Sequence, residues 1–167
     1  VFPSHAVSDL HLSDSTQGTL FFLLSLAQAV TGLTLCLSRR WMYRPRPVAV
    51  FGVVGIAGVL FLGYGQAVPA LYLGGLLFGV YSGAFFFYLV FHALAHPVKS
   101  AHYVAINESV VGVGGIIGPV AGGVLADQSG FGASALASAG LVLGVTLFQT
   151  VIHRRRPPVW AGDSAVP

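Results

Sequence analysis

Glu108 is the one carboxylate inside the long apolar stretches of this 167-residue chain. An ionisable group in such surroundings is a candidate for function, because its charge must be paired, hydrated or neutralised by a proton. Three roles stay open for it: a gate or structural pair with Arg39 or Arg40, a plain interfacial position where a helix N-terminus stabilises negative charge, and proton coupling. Tyr81, Phe85, Tyr88 and His92 follow at steps of four, three and four, which sets them on one side of a helix. That row of rings with polar tips suits a water-filled cavity, and it equally suits a helix whose Tyr81 is core while Tyr88 and His92 join an interfacial aromatic belt. His92 and His96 lie one helical turn apart with His102 nearby, but no acidic or thiol partner accompanies them, so no metal site is expected. Paired acids, H-E-x-x-H and G-x-S-x-G are all missing from the sequence, and no enzyme is expected. Cys36 is the single cysteine and can form no intrachain disulfide.

The elements that must position these groups follow from composition. Hydrophobic residues make up 55% of the chain and charged residues 8%, and the mean hydropathy is +0.82. A soluble domain carries about 25% charged residues. A membrane helix needs about 20 predominantly apolar residues. Five such stretches occur, over about 19–37, 48–68, 70–91, 104–126 and 133–152, with Gly63, Gly65 and Pro69 splitting the long uncharged run in the middle. The expected organisation is an external loop over 1–17, a helical membrane bundle over 18–153 and a tail over 154–167. Leu12-Ser13-Asp14-Ser15-Thr16 offers capping residues, so the first helix is expected to start near Gly18.

Basic residues give the orientation. Arg39, Arg40, Arg44 and Arg46, then Lys99, then Arg154, Arg155 and Arg156 fall in alternate polar patches, while the N-terminal segment and the turns around 65–69 and 127–132 carry none. That is the positive-inside pattern: C-terminus cytoplasmic, N-terminus outside, in a multi-pass protein of the plasma (inner) membrane. The net charge of +3 therefore belongs to loops on one side of a bilayer, and nucleic acid is not an expected partner. On this orientation Asn107-Glu108-Ser109 faces the cytoplasm and is a chance match to a glycosylation acceptor. The first 16 residues lack the basic start and apolar core of a signal peptide. The chain also begins at Val1 rather than at Met, and the expectation is a fragment preceded by further helices.

Small residues indicate how the helices pack, since close backbone approach drives association in lipid. Gly75, Gly79 and Gly83 repeat every fourth residue opposite the tyrosine row, so one side of that helix is smooth and the other aromatic. Gly114, Gly118 and Gly122 repeat in the same way in the fourth stretch, where Pro119 removes a backbone hydrogen bond and allows a bend. The letters of this stretch do not make a dinucleotide loop, because Ile117 stands where G-x-G-x-x-G needs its third glycine.

The string Gly114-Gly115-Ile116-Ile117-Gly118-Pro119-Val120-Ala121-Gly122-Gly123, followed by Leu125-Ala126-Asp127, resembles the G-x-x-x-G-P-x-x-G-G helix of the major facilitator superfamily. The basic hairpin and the order of helices fit the same resemblance over roughly residues 1–156, with the five stretches in the place of helices eight to twelve. One departure stands out: the G-x-x-x-D-x-x-G-R-R loop of that family is reduced here to Gly32, Cys36 and Ser38-Arg39-Arg40-Trp41, without the aspartate.

The resemblance implies an all-α membrane protein, five helices of a C-terminal six-helix bundle in a twelve-helix secondary transporter that works by alternating access. It implies a small-molecule substrate, the lipid bilayer and the absent N-terminal half as partners, no cofactor, and a proton as the coupling ion if one is used. In the implied pathway Gln28, Thr31, Tyr81 and Tyr88 bind substrate, with a helix-to-helix hydrogen bond as the alternative for Gln28. Glu108, Arg39 and Arg40 gate or couple, and Gly114, Gly118, Pro119, Gly122 and Gly123 bend and pack the fourth helix. By analogy with that family, the G-x-x-x-G-P-x-x-G-G string and the aromatic, weakly charged spans slightly favour export of an amphipathic compound over import. The alternative is a membrane scaffold or sensor that has kept the transporter fold without transport.

Overall fold

In the computed structural model the described residues are 10, 12–37, 41, 44–94 and 99–155, with side chains described for all of these except 45 and 153–155. They form five helices: α1 (Asp14–Leu37), α2 (Pro45–Tyr64), α3 (Val68–Leu94), α4 (Ser100–Ser129) and α5 (Phe131–Arg155). No strand occurs among the described residues. All five helices are long and apolar enough to cross a membrane, and the protein is an integral membrane protein.

The helix ends follow local chemistry that hydropathy does not register. α1 begins at Asp14, ahead of Gly18, because Ser13 caps it: the Thr16 N–H donates to Ser13 Oγ at 3.2 Å and the Gln17 N–H to the Ser13 carbonyl at 3.0 Å. Such a cap makes a polar first turn helical. α2 opens with Pro45 in its first turn after an extended Arg44 (φ −106°, ψ 132°), the backbone that a following proline imposes. It stops at Tyr64, short of the expected Val68, where Gly65 turns extended and its N–H closes on Phe61 O at 2.9 Å. Pro69 then falls in the first turn of α3, where its missing N–H costs nothing. A single residue, Gly130, joins α4 to α5 with φ +81° and ψ 161°, a region open essentially to glycine alone.

The bundle is built around α3. α1 packs on one side of it, α2 on another, and α2 in turn carries α5; α4 meets α3 and α5 more sparsely. The α1–α3 seam runs along the glycine face: Gly75 lies on Leu20, Gly79 on the Leu24 carbonyl and Ala27, and Gly83 on the backbone of Gln28. Between α2 and α3, Gly58 meets the Phe78 backbone and Gly74 the Leu62 backbone. Between α2 and α5, Val59, Ala135 and Ala139 form a buried cluster with Ile56, Leu60 and Phe78 against it, and Tyr64 Oη donates to Gly132 O at 3.1 Å. α4 has no buried residue along its whole length.

Candidate functional site

A cavity of about 230 Å³ opens between α2, α3 and α5. An apolar cavity of roughly 150 Å³ already holds a benzene ring, so this one accommodates a substituted aromatic. The α3 wall is the row read from the sequence, with Tyr81, Phe85, Tyr88 and His92 joined by Ala84 and Leu89. α2 contributes Val48, Phe51 and Gly52, and α5 contributes Val145, Thr146 and Gln149. None of these lining residues is an Asp, Glu, Lys or Arg.

Glycines on α2 set the spacing. The Tyr81 ring lies against Gly55, where a Cβ would stand 2.6 Å from Tyr81 Cδ2, and Gly52 lies against the Thr146 side chain. Tyr81 also stacks on Phe85, with centroids 5.8 Å apart and planes 29° apart, and meets Phe78 at 6.1 Å. Such a face presents the π-surface that favours flat aromatic or weakly cationic groups. Tyr88 is held differently: its hydroxyl donates to the Trp41 carbonyl at 3.3 Å and its ring meets Trp41 at 4.7 Å. Thr146 donates to Val142 O at 2.7 Å within its own helix, so its methyl group and the Gln149 amide give α5's share of the surface a mixed character.

Of the residues expected to bind substrate, Tyr81 and Tyr88 line this cavity, whereas Gln28 and Thr31 lie on the α1–α3 seam. Gln28 meets Gly83 through its backbone. Thr31 is buried at 8% exposure, and its hydroxyl donates to Ala27 O at 2.8 Å. Glu108 is exposed on α4, with Asn107 Nδ2 at 3.5 Å from its Oε1. Arg39 and Arg40, its expected partners, lie outside the described residues, as does His96. On α4, Gly114, Gly118 and Gly123 have open space where a Cβ would point; Pro119 is exposed and Gly122 half-buried.

Sequence reasoning missed Thr146 and Gln149. Their signal was a pair of polar side chains at i and i+3 in an otherwise apolar helix. It missed the α2 glycines for a related reason, since Gly52, Gly55 and Gly58 recur at three-residue steps rather than four. The Major Facilitator Superfamily family model matches residues 1–166. No curated protein and no solved structure matches the chain.

Proposed function

Because this chain belongs to the Major Facilitator Superfamily, whose members are transporters rather than enzymes, we propose that it works in secondary transport of an amphipathic, aromatic small molecule by alternating access, outward in direction. The observation that carries this reading is the cavity between α2, α3 and α5, walled by Tyr81, Phe85 and Tyr88 and lined by no carboxylate, lysine or arginine. A strongly anionic substrate would lack a counter-charge there, while an uncharged or weakly cationic aromatic gains ring contacts and the amide of Gln149.

The rest of the machinery is assigned on the same footing. Gln28 and Thr31 on α1 contribute polar contacts when the bundle rearranges, and Glu108 couples a proton or pairs with Arg39 or Arg40. The open side of α4, with Gly114, Gly118, Pro119, Gly122 and Gly123, packs against the N-terminal half of the transporter, because small residues admit close approach of a second helix. The protein resides in the plasma (inner) membrane, with the turn between α1 and α2 cytoplasmic.

Equilibrium binding of radiolabelled phenyltrimethylammonium, a cation with one aromatic ring, to the full-length protein in nanodiscs tests the site. Saturable binding that weakens in Tyr81→Ala supports it. Binding that is absent, or that ignores Tyr81→Ala, removes it.

A further inference from the structure

Trp41 stands in the connection between α1 and α2, flanked in sequence by Arg39, Arg40 and Arg44, yet it is only 4% exposed. Its indole N–H donates to the Leu35 carbonyl at 2.8 Å, which satisfies one of the carbonyls left unpaired in the last turn of α1. Three rings of α3 surround it edge-on: Phe87 at 5.5 Å, Tyr88 at 4.7 Å and Phe91 at 4.9 Å. Leu35 and Ala84 complete the buried cluster. The α1–α2 connection is thus pinned to α3 by one tryptophan.

Tyr88 belongs to both places. One part of the side chain forms the wall of the α2–α3–α5 cavity, while its hydroxyl donates to the Trp41 carbonyl. A hydroxyl has one proton to give. A ligand that draws the Tyr88 proton or displaces its ring therefore withdraws a hydrogen bond and a ring contact from Trp41.

We infer that Tyr88 couples occupancy of the cavity to the anchoring of the α1–α2 connection, so that filling the cavity releases Trp41. Coupling of this kind is reciprocal: a firmly seated Trp41 opposes ligand binding as much as the ligand opposes the seat. Tyr88 is in this respect a positioning residue that acts through Trp41. The coupling needs the cavity to admit a ligand and does not need that ligand to be transported, so it stands or falls apart from the transport reading.

The test uses the full-length protein in which Trp160→Phe, with phenylalanine at any other tryptophan, leaves Trp41 as the sole emitter, and in which Cys36→Ser, with serine at any other cysteine, and Gln149→Cys put the one thiol on the cavity wall. Benzyl methanethiosulfonate then fills the cavity covalently, and intact mass confirms the adduct. Acrylamide quenching of Trp41 should rise about fivefold on labelling, the change in equilibrium that one neutral hydrogen bond supports. In Tyr88→Leu the quenching should be high before labelling and unchanged after it. Phe91→Leu, which trims a ring from Trp41 without bordering this cavity, should raise the starting value and leave the response to labelling intact. The inference is overturned if labelling leaves Trp41 quenching unchanged, if Tyr88→Leu responds as the parent does, or if Phe91→Leu abolishes the response equally. It is overturned too if the introduced thiol resists the reagent under conditions that label the unfolded chain, because the cavity is then closed.

Discussion

Tyr81 and Tyr88 sit two turns apart on α3 and border the same cavity, but their surroundings give them different work. Tyr81 offers a ring already stacked on Phe85 and backed by Gly55, so its contribution to an aromatic ligand is contact area and π-geometry. An aromatic pair gives about 0.5–1.5 kcal/mol beyond area burial, so Tyr81→Ala should weaken phenyltrimethylammonium binding about three- to tenfold, read by equilibrium dialysis. Tyr81→Phe should keep most of the affinity, since the ring rather than the hydroxyl makes the stack. Gly55→Ala drives a methyl group into the Tyr81 ring. Overpacking of this kind costs about 1–3 kcal/mol, and the variant should lose both thermal stability and probe affinity. Glu108 is exposed on α4 and away from the cavity lining, and its proposed roles are proton coupling or pairing with Arg39 or Arg40. Glu108→Gln should leave probe binding unchanged; loss of the dependence of flux on a proton gradient would assign Glu108 to coupling, and flux that keeps that dependence would assign it to the pair with Arg39 or Arg40.

The helices are held by close approach at small residues, and on the α1–α3 seam glycines meet the backbone of the facing helix. A Cβ on Gly83 would stand 3.0 Å from the Gln28 Cα and 3.1 Å from its carbonyl carbon, and neither backbone atom can move without separating the helices. Gly83→Val should therefore lower stability by about 1–3 kcal/mol, seen as an earlier thermal loss of the monodisperse peak in size-exclusion chromatography. Gly130→Ala should cost a similar amount, about 1–3 kcal/mol, for a different reason: no side chain crowds the site, but an L-residue is strained at φ +81°. The seam was legible in the sequence because Gly75, Gly79 and Gly83 repeat at the helical period, and small residues in lipid mark contacts. The five helices were legible for the same kind of reason, since their apolar lengths match the bilayer. Helix ends were less so. Ser13 extends α1 through a cap and Pro69 sits inside α3, both effects of local backbone chemistry that a hydropathy count passes over. The cavity was half legible: the periodicity of α3 put Tyr81 and Tyr88 on one side, but nothing within one helix tells which neighbour that side will meet. The α5 residues Thr146 and Gln149 and the α2 glycines therefore appear only once the helices are assembled, and Gln28 and Thr31 fall on the seam.

As a whole, the five helices expose broad apolar surface suited to lipid and to further helices. α4 carries Ile116, Ile117 and Val120 with 60% or more of each exposed beside glycines that face open space. Orientation can be read from the one cysteine. Cys36 is exposed near the end of α1, next to the basic connection, so a membrane-impermeant maleimide should label it in inverted vesicles and not in intact cells. The reverse pattern would invert the proposed topology. Transport through the cavity between α2, α3 and α5 is tested by phenyltrimethylammonium flux in proteoliposomes holding the full-length protein, with and without an imposed proton gradient. Transport through this cavity should give saturable, gradient-dependent flux that falls about three- to tenfold at limiting concentration in Tyr81→Ala, in step with its loss of binding. Saturable binding without flux would contradict it and leave a sensor or scaffold with a transporter fold; flux unaffected by Tyr81→Ala would place the pathway elsewhere in the molecule.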